Sequence, residues 1–352
     1  MAVDIFPIIK ILILSAISFI IAIFFTPILT HFLYKYKLGK KVRNEGNTPI
    51  YTSLHLKKEG TPTMGGILVW FTVAIMATGI LLLTKVFGPD TIFSDYNFLT
   101  RKQTLLPLGI LLFAAVIGLF DDLIGVLKIR NLGRGLRMRH RLIIYTVIAA
   151  LGAYWFYFKL DWDLIHVPFF GDFNIGLWYI PIFIFVIVSS AFSANETDGL
   201  DGLAGGILLI AFTAYAVISY AQGRLELAAF CGVVVGALLA FLWFNIHPAR
   251  FFMGDTGSMS LGITLGVIAM LTNSLFFLPF IGFILVIESL SVIIQVISKK
   301  IRHKKIFLSA PIHHHFEALG WPETKVTMRF WIISGVVAII GLILFVIDKH
   351  IF

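Results

Sequence analysis

The chain has 352 residues, of which 59% are hydrophobic and 13% charged, with 28 Lys and Arg against 19 Asp and Glu. Soluble domains carry about 25% charged residues, so this composition, with a mean hydropathy of +0.94, excludes an ordinary soluble fold. The formal charge of +9 fits attraction to anionic lipid or an anionic substrate, and membrane topology alone also accounts for most of it.

Crossing a hydrocarbon core of about 30 Å takes roughly 20 apolar helical residues. In chain order, such runs are predicted at Ile11–Leu33, Gly66–Leu83, Thr104–Phe120, Leu142–Phe158, Leu177–Ser193, Leu203–Ala221, Leu227–Phe244, Ser258–Leu271, Phe276–Ile297 and Phe330–Ile347. The first is too long for a signal-peptide core and runs at once into a basic loop, so it is predicted to be retained. The eighth is short and interrupted by glycine. No internal repeat, low-complexity tract or soluble domain is visible, and residues 1–352 are expected to form a single polytopic membrane domain of the all-α class. The lone Cys231 supports neither a disulfide nor a CxxC metal site.

Ten spans leave nine loops, and Lys and Arg should gather in those facing the cytoplasm. The first loop holds Lys35, Lys37, Lys40, Lys41, Arg43, Lys57 and Lys58, the third Lys128, Arg130, Arg134, Arg137, Arg139 and Arg141. The ninth holds Lys299, Lys300, Arg302, Lys304, Lys305, Lys325 and Arg329, whereas the even loops share only Lys85, Arg101, Lys102, Lys159 and Arg224. Odd loops are therefore expected to be cytoplasmic, with both termini on the other side.

Acidic residues near membrane depth are costly and mark ion paths, substrate sites or helix pairs. Asp121 and Asp122 end the third span in GLFDD, where two adjacent carboxylates need a cation or donors, a need that a hard divalent ion would meet. The fifth loop, SANETDGLDGLAGG, places Asp198 and Asp201 three apart, on one face if the next helix begins there. Helix capping is the plain alternative, although Asn195 and several glycines exceed what one cap needs. The seventh loop, FNIHPARFFMGDTGSMSLG, brackets Arg250 between Asn245 and Asp255 and leads into a helix whose first N–H groups suit a phosphate. GDTGS is equally an ordinary turn and cap.

The ninth loop contains APIHHHFEALGW, and one or two of His313, His314 and His315 are expected to meet substrate phosphate, since adjacent imidazoles cannot easily share one metal. The first loop ends in HLKKEGTPTMGG, where Lys58 is a candidate phosphate partner and Thr63 a hydroxyl donor, or simply part of a basic loop entering a helix. Glu288, Ser291 and Gln295 recur at helical spacing in the ninth span as a buried polar stripe, serving either helix pairing or substrate. These candidates fall on one side of the topology and can converge on one cytoplasmic cleft.

The motifs GTPTMGG, FDD, NETDGLDGLAGG, FLWFNIHPARFFMGDTGS, ESLSVIIQV and APIHHHFEALGWPETKVTMRFWI resemble those of the MraY family, the phospho-N-acetylmuramoyl-pentapeptide-transferases. The wider superfamily of polyprenyl-phosphate N-acetylhexosamine-1-phosphate transferases shares mainly the acidic motifs, and the HHH segment favours this branch. The resemblance implies a ten-helix membrane fold in which UDP-MurNAc-pentapeptide and undecaprenyl phosphate react with Mg²⁺ to give lipid I and UMP. It also implies a homodimer in the bacterial cytoplasmic membrane, in contact with membrane lipid and with no nucleic-acid partner. By the same resemblance Asp121, Asp122, Asp255 and His313 are catalytic, with Asp255 the leading Mg²⁺ ligand. Lys58, Thr63, Asn195, Asp198, Asp201, Asn245, Phe252, His314 and His315 are then substrate-binding, with Phe252 near the uracil. Two departures stand out: Gly125 where relatives usually have Lys, for which Lys128 or Arg130 would have to substitute, and Phe192 where they usually have Asn. A GlcNAc-1-phosphate transferase and an ion-coupled transporter are the competing readings.

Overall fold

The computed structural model describes residues 5–39, 58–101, 103–127 and 136–351. Lipid offers no hydrogen bonds, so apolar runs must satisfy their backbone internally, and they do so as helices. These are α1 (Phe6–Lys35), α2 (Ile67–Phe87), a short α3 (Ile92–Tyr96), α4 (Leu105–Leu127) and α5 (Met138–Lys159). After the strands β1 (Leu164–Val167) and β2 (Gly171–Asn174) come α6 (Tyr179–Thr197), α7 (Leu203–Ala221), α8 (Leu225–Asn245) and α9 (Asp255–Leu271). The chain continues through α10 (Leu278–Ile281), α11 (Phe283–Arg302), α12 (Ile312–Ala318) and α13 (Glu323–Ile351).

Among the described residues, eight helices are long and apolar enough to cross a membrane, or nine if the pair flanking Gly282 is one span. The protein is thus a mostly helical, multi-pass membrane protein, and three elements differ from the sequence reading. The eighth predicted span is α9, whose 17 residues are all buried. At about 1.5 Å per residue it falls short of the hydrocarbon thickness and forms an internal strut instead of a lipid-facing span. The ninth is bent by 85° between Leu275–Ile281 and Phe283–Arg302. The third difference is a hairpin that an all-helical reading did not contain: β1 pairs antiparallel with β2, Val167 opposite Gly171.

Small residues let the strut be gripped closely. A Cβ on Gly118 of α4 would lie 2.4 Å from the backbone oxygen of Asp255, and one on Gly66 would lie 2.3 Å from the Cα of Gly257. Both contacts draw α9's first turn, with its carboxylate, against α2 and α4.

The hairpin is clasped to the end of α13. His166 Nδ1 is 2.7 Å from Asp172 Oδ1 and Nε2 is 2.7 Å from Asp348 Oδ2, while the Phe169 N–H donates to Asp348 Oδ1 at 2.6 Å. Burial alone would lower the His166 pKa, but hydrogen bonds to the two carboxylates raise it above the ordinary 6.5. A raised histidine stabilises the fold fully below its unfolded pKa and loses that contribution as pH rises through the folded one. The thermal midpoint of the wild type should therefore fall as pH rises above the ordinary histidine value of 6.5, whereas that of His166→Gln should change less over the same range. Equal pH dependence in the two proteins would dispose of the clasp.

Candidate active site

Four helices deliver one polar cluster. Asp121 arrives on the last turns of α4, Arg141 on the first turn of α5, Asn195 near the end of α6 and Asp255 at the start of α9. The Arg141 guanidinium ties the other three together: Nε donates to Asp121 Oδ2 at 2.8 Å, one terminal nitrogen to Asn195 Oδ1 at 3.0 Å and the other to Asp255 Oδ2 at 2.6 Å. Asn195 in turn donates to Asp255 Oδ1 at 2.6 Å and to Ser258 Oγ at 3.1 Å. Charge-assisted bonds of this kind are the strong ones, and the fork of an arginine suits carboxylate geometry.

The neighbouring carboxylate does different work. Asp122 Oδ2 accepts the N–H of Thr256 at 3.0 Å, so the anion at the start of α9 is one of the protein's own. Asp198 Oδ2 accepts the Gly254 N–H at 3.0 Å, which fixes the other side of the GDTGS turn. Gly254 has φ +73°, and a Cβ there would lie 2.5 Å from Asp122 Oδ2 and 2.7 Å from Thr63 Oγ1, so no larger residue fits this turn. Thr63 is fully buried and its hydroxyl has no hydrogen-bond partner among the described residues.

A second cluster surrounds Lys58. Its ammonium donates to Asp201 Oδ1 at 2.7 Å and to Glu323, and lies 5.7 Å from the centre of the Phe252 ring. Asp201 also accepts from the Ala249 N–H at 3.1 Å and faces His247 Nδ1 at 2.9 Å. Asp198 and Asp201 therefore do not share a helical face: α7 begins only at Leu203, and the turn between them sends the two side chains to different partners. Asn245 accepts the Gly202 N–H at 3.0 Å and donates to the Phe251 carbonyl at 2.8 Å, so both ends of its amide brace loops. Asp201, His247 and Glu323 also present ligating atoms all within 4.8 Å of one another, a group that could hold a metal ion.

The three histidines, one or two of them expected to meet phosphate, start α12, and each is bonded to a group of the protein, with the His313 and His314 rings in edge contact at 4.0 Å. His313 Nδ1 is 2.9 Å from Glu288 Oε2, His314 Nδ1 is 2.7 Å from Glu317 Oε2, and His315 Nδ1 accepts the Leu308 N–H at 3.2 Å. His313 and Glu288 are fully buried, and a Cβ on Gly199 would lie 2.2 Å from His313 Nε2, so the imidazole abuts the turn that carries Asp198 and Asp201. The polar stripe on α11 holds this region in place: Gln295 accepts from the N–H groups of Ile306 and Phe307 and donates to the Phe307 carbonyl at 2.8 Å.

Sequence reasoning counted Arg141 only as a topology marker and did not single out His247 or Glu323. The signal for Arg141 was its place as the last charge before an apolar run, where a basic side chain is drawn to membrane depth. Lys128 and Arg130, named as substitutes for the lysine missing at Gly125, lie outside the described residues.

A model of glycosyl transferase family 4 matches residues 104–273, and phospho-N-acetylmuramoyl-pentapeptide-transferase signature 1 matches residues 58–68. The phospho-N-acetylmuramoyl-pentapeptide-transferase of Chloroflexus aggregans is 40% identical over 344 residues, covering 94% of this chain and 88% of that protein. That of Geobacillus sp. WCH70 is 40% identical over 93% of this chain and 95% of its own length, and that of Clostridium perfringens SM101 40% over 94% and 96%. The chain belongs to the phospho-N-acetylmuramoyl-pentapeptide-transferase family. The matched signature of that family begins at Lys58 and includes Thr63, Gly65 and Gly66, which join the second cluster to the grip on α9.

The Lys58 cluster makes a stability prediction. Burial works against the charges of both Asp201 and Lys58, but their mutual attraction holds Asp201 below its ordinary 3.8 and, with Glu323, holds Lys58 above 10.5. A depressed Asp stabilises above its unfolded pKa and a raised Lys below its own, so the contribution should be flat from about pH 4 to about pH 10 and vanish in acid as Asp201 protonates. Lys58→Ala, which strands two largely buried carboxylates, should cost about 3–5 kcal/mol at neutral pH by thermal or denaturant unfolding in detergent. A cost below about 1 kcal/mol would show that water already solvates the group.

Proposed function

We propose that the chain transfers phospho-MurNAc-pentapeptide from UDP-MurNAc-pentapeptide to undecaprenyl phosphate, forming lipid I and UMP for peptidoglycan synthesis. The observation that carries this reading is that α6, the helix that brings Asn195 to the Arg141 cluster, also forms one wall of an apolar groove. The groove, of about 540 Å³, runs between α6 and the bent α10–α11 pair and is lined by Ile182, Phe185, Phe192, Leu278, Leu285 and Ile293, among others. Ser193 on its wall meets Ser289 across it at 2.6 Å, and two residues further along α6 Asn195 bonds Asp255. An isoprenoid tail in the groove leaves its phosphate beside the cluster, while Phe252 and Lys58 take the nucleotide side of the cleft. The reading takes the chain as one transferase domain, since cations and carboxylates from Lys58 to Glu323 contribute. It places that domain as a homodimer in the bacterial cytoplasmic membrane, with the cleft cytoplasmic and both termini outside.

In the reaction an oxygen of the carrier phosphate attacks the sugar-bound phosphorus of the nucleotide, a P–O bond forms, and the P–O bond to UMP breaks. Two anions must approach each other, so fixed positive charge is the main requirement. Arg141 brings one positive charge between Asp121 and Asp255, which leaves the cluster net negative and in need of a further cation. We assign the base for the carrier phosphate to Asp121 because it lies in the Arg141 cluster with Asp255, where its oxygens accept from Arg141 and from the Leu136 N–H, whereas Asp122 braces the start of α9 through the N–H of Thr256. Asp121, Asp122, Asp255 and the amide oxygen of Asn195 are hard oxygen donors that would hold a divalent ion, with Asp255 as its leading ligand, in place of the guanidinium that takes oxygens of Asp121, Asn195 and Asp255. When bound there, Mg²⁺ neutralises the pyrophosphate and stabilises the UMP leaving group.

The test is Mg²⁺-dependent UMP release by purified protein given both substrates, with omission of the carrier as control. Asp255→Ala should lower release at least about 100-fold. No release from folded wild type, with release from UDP-GlcNAc instead, would move the assignment to the sister activity. Asp121→Asn should lower kcat about 100-fold or more, out of proportion to any fall in the thermal midpoint, whereas Asp122→Asn should act mainly on the midpoint, because it loosens the start of α9. The reverse pattern would exchange their roles.

A further inference from the structure

We propose a second anion site, away from the Arg141 cluster, that holds the phosphate headgroup of an anionic phospholipid against the end of α1. A cavity of about 620 Å³ opens there, lined by Thr26, Thr30, His31 and Lys35 of α1 and by Phe244 and Arg250 across from them. Its walls hold two permanent cations and an imidazole, and no Asp or Glu among the described residues.

The arginine is held in place. Tyr34 donates its hydroxyl to the Arg250 carbonyl at 2.8 Å, and the Arg250 N–H donates to the Phe244 carbonyl at 2.8 Å. The guanidinium lies over the Phe244 ring, 5.5 Å from its centre. A cation restrained at both backbone and head loses little freedom when it meets a phosphate, and the planar guanidinium can meet two phosphate oxygens at once. The tendency of cytoplasmic loops to be basic explains that Lys35 is there, but not why Arg250 is pinned across the loop to face it.

The apolar approach selects a lipid over a free ion. Ile20, Phe24 and Ile28 are 49%, 76% and 53% exposed. At 100° per residue these three, His31 and Lys35 fall within an arc of about 80° on α1, so one helical face runs from bare hydrocarbon contact to cationic head. That is the profile of an amphiphile with a negative head and an apolar tail.

The site bears on the cleft through its loop. Ala249, next to Arg250, donates its N–H to Asp201 at 3.1 Å, and the Phe252 N–H donates to the Pro62 carbonyl at 2.8 Å. A headgroup on Arg250 braces the segment that holds Asp201 and Phe252.

The experiment is native mass spectrometry of the full-length protein in detergent, titrated with phosphatidylglycerol, phosphatidylcholine or inorganic phosphate. Wild type should retain phosphatidylglycerol at least about tenfold more tightly than phosphatidylcholine. In the Lys35→Ala/Arg250→Ala double variant that preference should disappear. Thr30→Glu, which adds a carboxylate to the cavity and removes no cation, should abolish the preference too and guards against misfolding of the double variant. A preference unchanged in Thr30→Glu, or in the folded double variant, would overturn the proposal. Displacement of the lipid by an equal concentration of inorganic phosphate would also overturn it, by making the pocket a free-anion site.

Discussion

A carboxylate at the end of an apolar helix is tolerable only if a positive charge reaches it, and in this protein one guanidinium reaches two. Arg141 bonds Asp121 and Asp255 and also takes the oxygen of Asn195, so α4, α5, α6 and α9 meet at a single side chain. The rest of the structure depends on this contact. The strut α9 is buried along its whole length, and Asp255, its one ionisable residue, sits at its first position. Without a partner, that buried charge would cost about 3–5 kcal/mol. Pairing it at the helix start, where the dipole also favours an anion, lets an otherwise apolar and small-residue helix occupy the middle of the bundle.

The adjacent acids of GLFDD show how helical geometry divides labour between identical side chains. Successive residues on a helix point about 100° apart, so Asp121 faces Arg141 while Asp122 faces the first N–H groups of α9. One is part of the charge cluster, and the other holds the element on which Asp255 sits. The same rotation explains the three histidines. The His313 and His314 rings touch edge to face, yet each of the three rings has its own acceptor or donor in Glu288, Glu317 or Leu308.

The apolar runs were legible in the sequence because a span is recognised by length and composition, with no knowledge of neighbours needed. The acids were legible because charge is expensive at that depth. What composition could not reveal is which apolar runs face lipid: α9 reads like a span, yet its glycines, serines and threonines serve contact with other helices. The bend at Gly282 and the four-residue strands of the hairpin depend on local backbone geometry, which hydropathy averages away. Arg141, His247 and Glu323 were hidden for a related reason. Each lies in a segment whose charge had a sufficient ordinary explanation, a basic loop or a helix start, and only the fold brings them onto Asp121, Asp201 and Lys58.

The two departures from the family's usual residues become intelligible in this frame. Gly125 leaves α4 without a cation close to its acid pair, yet the demand for positive charge is set by the carboxylates and can be met from an adjacent helix. Arginine meets it better than lysine would, because three separate nitrogens of one rigid plane contact three acceptors simultaneously, whereas an ammonium is a single point charge. Phe192 lies on the opposite side of the same question. It lines the apolar groove three residues before Asn195, beside Ser189, Ser190 and Ser193 on the same helix. An asparagine there would add an amide to these hydroxyls and draw water toward that wall, whereas the aromatic ring keeps the larger part of the wall apolar and its local dielectric low.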